Sequence, residues 1–431
     1  MNKLTSTLLL MVNISPLVVA TRQYDLHIYP LSNAAYAYGI NSRPFLLYTQ
    51  QDPGGGTNRY GWDVLQAPSG IRLENTNFQL FFVIRTDDAN RGIGFGVPVN
   101  FNRYIAFQLQ ADGLHEITLD DRSIDQSTVN VRAVGTNTRG TITGDYWYGD
   151  FNSSSLYRLL SDKTFQTLAP PTGGKLTALG IAQDDTVVGV QKNPSPPPVY
   201  VGVLWPKTGD PTIILPFGGP NLLPAAISNR TVIGQSTVAQ DGATNHAFAY
   251  DRQSSIMTDL QPLASYSNSS ASALWEASNQ TVVAGTSYVS QPTAGEATVW
   301  PASGPPVSLT SLILQELGGR TLTTVSAGSD SGLLAGSYQN PDGTTGIFIA
   351  DPVDPSEMLG DLDGDGGVRS SDLNTMFRFL LGLEKPYSFR QRRAVFGIQP
   401  LDFASTVQAS DVVREIRRIL GIEPPARVLS P

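Results

Sequence analysis

The 431-residue chain contains no cysteine, which excludes disulfides, thiol catalysis and cysteine–zinc sites. Histidine is scarce. His27, His115 and His246 are the only three, and none has a second histidine or a carboxylate at the spacing of a metal-binding helix. Charged residues are 15% of the chain, with 29 Lys+Arg against 37 Asp+Glu, so nothing points to nucleic acid. Past the N-terminus no stretch reaches the roughly 18 apolar residues of a membrane helix. No G-x-S-x-G elbow accompanies any serine. What the chain has in quantity is Gly (41) and Pro (30), a composition that favours turn-rich β structure over long helices.

Residues 1–20 read as a secretory signal peptide. Lys3 supplies the positive start, Leu8-Leu9-Leu10-Met11-Val12 the apolar stretch and Val18-Val19-Ala20 the small-residue cleavage site. The mature protein is therefore expected to be secreted, soluble and monomeric. Without disulfides it must rely on core burial and bound ions.

A repeat occupies residues 33–352. A short strand ending in glycine recurs as Thr141-Ile142-Thr143-Gly144, Val187-Val188-Gly189, Val232-Ile233-Gly234, Val283-Ala284-Gly285 and Leu334-Ala335-Gly336. The glycines lie 45, 45, 51 and 51 residues apart. A second apolar strand follows each, as in Val201-Gly202-Val203-Leu204-Trp205 and Ala247-Phe248-Ala249-Tyr250. Weaker copies run from Phe82 through Gly96 to Phe107 and from Ala37 to Val64. A period of this length with about four strands matches a β-propeller blade, which needs neighbours to bury both faces. Five clear and two degenerate copies make about seven blades, with six or eight blades and a β-sandwich array as alternatives. The step Asn245-His246-Ala247-Phe248 resembles the extracellular HAF-type repeat, which implies an exported β-rich repeat protein and supplies no catalytic residues.

Little in the repeats suggests chemistry. Asp87-Asp88, Asp120-Asp121 and Asp184-Asp185 read as turn residues, because neighbours in a strand face opposite ways. Tyr146-Trp147-Tyr148 could stack on sugars, but alternate burial along a strand is the favoured reading. Residues 353–359, with Pro355 inside and Pro352 just before, read as a linker, and 423–431 as a disordered tail.

Between them, residues 360–422 carry the strongest motif. Asp361, Asp363, Asp365 and Asp372 stand at positions one, three, five and twelve of a calcium loop, with Gly366 at the sharp turn and the Gly367 carbonyl at position seven. Arg369 at position nine cannot be a ligand. Leu373, Met376, Phe377, Leu380 and Leu381 follow at helical spacing, and Val412, Val413, Ile416, Ile419 and Leu420 repeat the pattern. Gly360 to Gly366, then Val368, Ser370 to Leu373 and Phe379-Leu380-Leu381-Gly382 resemble a type I dockerin domain. That resemblance implies a calcium-binding module that docks onto a cohesin through Ser370, Ser371 and Arg378. The second unit departs from the pattern, with Pro400, Asp402, Ala404 and Ser405 at its loop positions, so one calcium ion is expected and symmetric docking is in doubt. The expected fold is mainly β, a propeller followed by a small α-helical module. The expected function is to tether a binding or scaffold propeller to a cohesin-type, cell-surface or glycan partner. An enzyme of polysaccharide breakdown, either a glycoside hydrolase or a lyase, is the alternative, and a calcium clip that only stiffens the C-terminus is a third.

Overall fold

The computed structural model describes residues 23–419, apart from 32–34, 52–56, 64–70, 74–76, 87–91, 100–101, 111–112, 120–123, 126, 150–153, 194–198, 241, 278–279, 291–294, 355, 382, 385–387 and 397–408. The signal peptide, the C-terminal tail, the second loop's Pro400, Asp402, Ala404 and Ser405, and the first two aspartate pairs fall outside the described residues.

Seven four-stranded antiparallel sheets form a seven-bladed propeller. Blades 1 to 6 take residues 35–72, 78–116, 130–168, 175–214, 222–260 and 268–308 in order. Blade 7 takes its three inner strands from residues 321–353 and its outermost from Gln23–Pro30. That N-terminal strand pairs with Thr345–Val353 in the register Leu26↔Ala350, so the two ends of the propeller segment close the ring together. The repeat expected to start at residue 33 therefore starts ten residues earlier, at Gln23. Repeat alignment passes over this strand because its blade partners lie at the other end of the chain.

Each sheet packs between two others, which explains why the middle strands are apolar runs rather than alternating patterns. Val187–Asn193 and Val199–Trp205 are buried over most of their lengths. Leu156 and Leu168 of blade 3 meet Leu176, Val187, Val203 and Trp205 of blade 4 in one cluster. For the same reason Tyr146 and Trp147 are both buried, and only Tyr148 is exposed, instead of alternating. Asp184-Asp185 does form a turn, with Asp185 at φ +67°.

The repeated glycine has a steric cause. In every blade the innermost strand bulges at the same register, between Ala133 and Gly135 in blade 3 and between Ala178 and Gly180 in blade 4. The residue before the bulge faces the repeat glycine: Ala133↔Gly144, Ala178↔Gly189, Pro224↔Gly234, Ala271↔Gly285, Val325↔Gly336. The bulged strand pushes a carbonyl toward its neighbour. A Cβ on Gly144 would stand 1.8 Å from Arg132 O, and one on Gly336 1.8 Å from Thr324 O. Glycine is the residue that admits this approach. In blade 2 the equivalent residue is Gly94, not the Gly96 of the sequence alignment, and in blade 1 it is Tyr48.

After the propeller come α1 (Ser370–Leu380), α2 (Phe389–Phe396) and α3 (Ala409–Ile419). Leu362, Met376, Phe379, Ala394, Val395 and Val412 form their small shared core. Helix α2 is not expected from periodicity, because its apolar residues serve two cores. Phe389 is packed into the cluster between blades 7 and 1, while Ala394 and Val395 face α1 and α3.

Candidate functional site

The 361–372 loop is ordered by its own carboxylates. Asp372, fully buried at the third position of α1, accepts the N–H groups of Leu362 (2.7 Å) and Asp363 (3.2 Å) on Oδ1 and that of Arg369 (2.8 Å) on Oδ2. The last of these caps the first turn of α1. Asp361 is also buried and accepts the N–H groups of Gly364 (2.8 Å) and Gly366 (3.2 Å). Gly364 and Gly366, at φ +84° and +83°, make the left-handed turns that wrap the chain around it. Burial pushes the Asp372 carboxyl above the ordinary value, although three backbone N–H groups act against it.

The expected ligands divide into two sets. Carboxylate oxygens of Asp361, Asp363 and Asp372 lie within 4.8 Å of one another. Oxygens that share one hard cation at about 2.4 Å are at most about 4.8 Å apart, a limit these three meet. Asp365 stands outside the set, its Oδ2 paired with the Arg369 guanidinium and its Oδ1 accepting the Gly367 N–H at 2.9 Å. Arg390 on α2 donates to Asp361 Oδ2 at 2.9 Å. Neither arginine pairing is expected from the sequence, which shows no link between α2 and the loop.

The expected docking residues Ser370, Ser371 and Arg378 are all exposed on α1. Arg378 pairs with Glu384 at 2.5 Å. Phe377 on α1, Leu381 and Leu383 just after it and Val413 on α3 are exposed as well.

The other face of α2 holds the module to the propeller. Arg393 is buried and grips Glu357 with two hydrogen bonds, Nε to Oε2 at 2.9 Å and Nη2 to Oε1 at 2.8 Å. Its Nη1 pairs with Asp351 of blade 7 and lies 3.6 Å from Asp25 on the closing strand. His27 stacks on Phe389 with ring centroids 4.0 Å apart. The linker expected at 353–359 is pinned at both Val353, which ends a strand, and Glu357, which is buried under Arg393. Burial opposes the Arg393 charge, but Asp351 and Glu357 outweigh it and hold its pKa above the ordinary value. One guanidinium cannot neutralise three carboxylates. Burial raises Asp351, while His27 and Arg393 together outweigh burial at Asp25 and lower it.

In the propeller, His246 sits on the third strand of blade 5, its Nδ1 3.0 Å from Asp259 on the next strand. An axial cavity of about 440 Å³ opens where the inner strands of all seven blades converge. Its lining includes Arg85, Gln183, Asn229, Glu276 and Asp330. No helix among the described residues is long and apolar enough to cross a membrane.

No family model and no curated protein matches the chain. Among solved structures it is similar to TolB from Acinetobacter baumannii, at 12% identity over 62% of this chain and 61% of that one, TM-score 0.36. It is similar to one of two prolyl endopeptidases, at 12% identity over 78% of this chain and 49% of that one, TM-score 0.47. It is similar also to the Aleuria aurantia lectin, at 11% identity over 77% and 98%, TM-score 0.33. The chain thus spans less than two thirds of the first two proteins.

Proposed function

We propose that the 361–372 loop holds one calcium ion and that the helical module it orders docks the propeller, a rigid binding platform, onto a protein partner. The observation that carries this reading is the convergence of Asp361, Asp363 and Asp372 oxygens within 4.8 Å at the start of α1. A cation there would relieve the repulsion among carboxylates that the fold draws together. The exposed Ser370, Ser371, Arg378 and Phe377 on α1 suit a cohesin-type or cell-surface protein.

Arg390 and Arg393 favour a second reading, in which the loop is an intramolecular clip with Arg390 supplying positive charge at Asp361. A propeller that degrades polysaccharide is kept as a third, tested by screening for reducing-sugar release. Calorimetric calcium titration of the full chain separates the first two. One site, abolished in Asp372→Asn, supports the metal loop, whereas absence of binding heat leaves the arginine clip.

A further inference from the structure

One inner-strand position breaks the sevenfold pattern. Just past the bulge the ring carries Gly39, Gly135, Gly180, Ala226, Ala273 and Ala327, while blade 2 carries Arg85. Small residues suit a place where strands converge: a Cβ on Gly135 would lie 3.2 Å from Gly180 Cα in the next blade. The Arg85 side chain instead lines the axial cavity.

Arg85 makes no hydrogen bond or ion pair within the described residues. Its side chain is open to the cavity yet enclosed by the walls, and this desolvation lowers its pKa, with Asp330 acting the other way. The two carboxylates that share the cavity have protein partners. Glu276 accepts the Ser228 hydroxyl, and Asp330 accepts the Gln183 amide at 3.4 Å. Asn229 uses its Oδ1 on the Asp184 N–H at 2.8 Å, which leaves its amide nitrogen as a donor at the lining. Among the described residues the cavity therefore offers one guanidinium whose donors are unused, with Asp330 acting on it at longer range and hydroxyl and amide groups around it.

We propose that this cavity binds a small polyhydroxy carboxylate, such as a uronic or aldonic acid, with its carboxylate on Arg85 and its hydroxyls on the surrounding amides. A guanidinium matches a carboxylate with two parallel hydrogen bonds. Asp330 and Glu276 repel a dianion such as phosphate more strongly than a monoanion. The volume lies in the range of small-molecule sites. This site is separate from the C-terminal loop and independent of whether calcium binds there.

The test is calorimetry of the full chain with glucuronate, galacturonate and gluconate, beside glucose, acetate and inorganic phosphate at equal ionic strength. At least one polyhydroxy carboxylate should bind more tightly than all three controls, and Arg85→Met should weaken it at least tenfold. Because Arg85 makes no hydrogen bond or ion pair among the described residues, the variant should melt no lower than the wild type. No binding by any of the three acids, equal binding of glucose or phosphate, or an unchanged affinity in Arg85→Met overturns the proposal.

Discussion

The propeller spreads its stability over seven similar interfaces, whereas the helical module depends on one small core and one buried arginine. Both regions do without disulfides. In the ring, each blade repeats the same bulge, and six of the seven place a glycine opposite it. A defect in one blade leaves six intact neighbours, apart from closure, where the N-terminal strand acts alone. The module has no such redundancy. Its core is completed by α2, and α2 is held on its other side by Asp25, Asp351 and Glu357. The difference shows why a small appended unit uses charge where a large repeated one uses area.

The largest effect should come from Arg393→Met. Removing one partner of a buried ion cluster costs about 3–5 kcal/mol, because the carboxylates stay buried without a counter-charge. Hydrogen exchange should rise across α1 to α3 while blades 2 to 5 keep their protection. If those blades lose protection too, the ring depends on the module and the contrast fails. Calcium, if the loop binds it, should come next. A ligand at one hundred times its Kd adds about 2.7 kcal/mol to the state that binds it. Scanning calorimetry with calcium and with chelator should shift the melting of the module, with a smaller change for the blades.

Gly336→Ala should cost about 1–3 kcal/mol, as overpacking in a filled interior does. Gly189→Ala should cost less, since its Cβ would stand 2.7 Å from Thr177 O rather than 1.8 Å from a carbonyl. Urea midpoints of the two variants rank the effects, and an equal loss would show that the bulge does not set the glycine requirement. The smallest effect is the pH dependence of Asp25. Its native pKa is held below the unfolded value, so its contribution is complete above that value and is lost as pH falls through the native one. The stability difference between wild type and Asp25→Asn should shrink as the solution is acidified below about pH 5.

Much of this was legible in the chain. The glycine spacing marked five blades, because a residue forced by backbone approach recurs in those copies, and two degenerate copies completed the count. The aspartates of the loop could be read as one cluster because they are local, all within a dozen residues. The charge partners could not. Arg390 and Arg393 carry no motif, and Asp25 and Asp351 look like ordinary turn or strand residues until the ring brings them together. The placement of Asp365 also escaped the pattern, because a loop position does not say whether the carboxylate turns toward a shared centre or toward Arg369.

The sequence by itself determined the repeat, its period, the strand-rich blades and the acidic loop before α1, all consequences of contacts between near neighbours in the chain. Tertiary structure alone decided that the N-terminal strand closes blade 7, that α2 straddles two cores and that Arg85 projects into an axial cavity. Each of these joins residues far apart in sequence, and such pairings arise only when closing the ring fixes which distant surfaces meet.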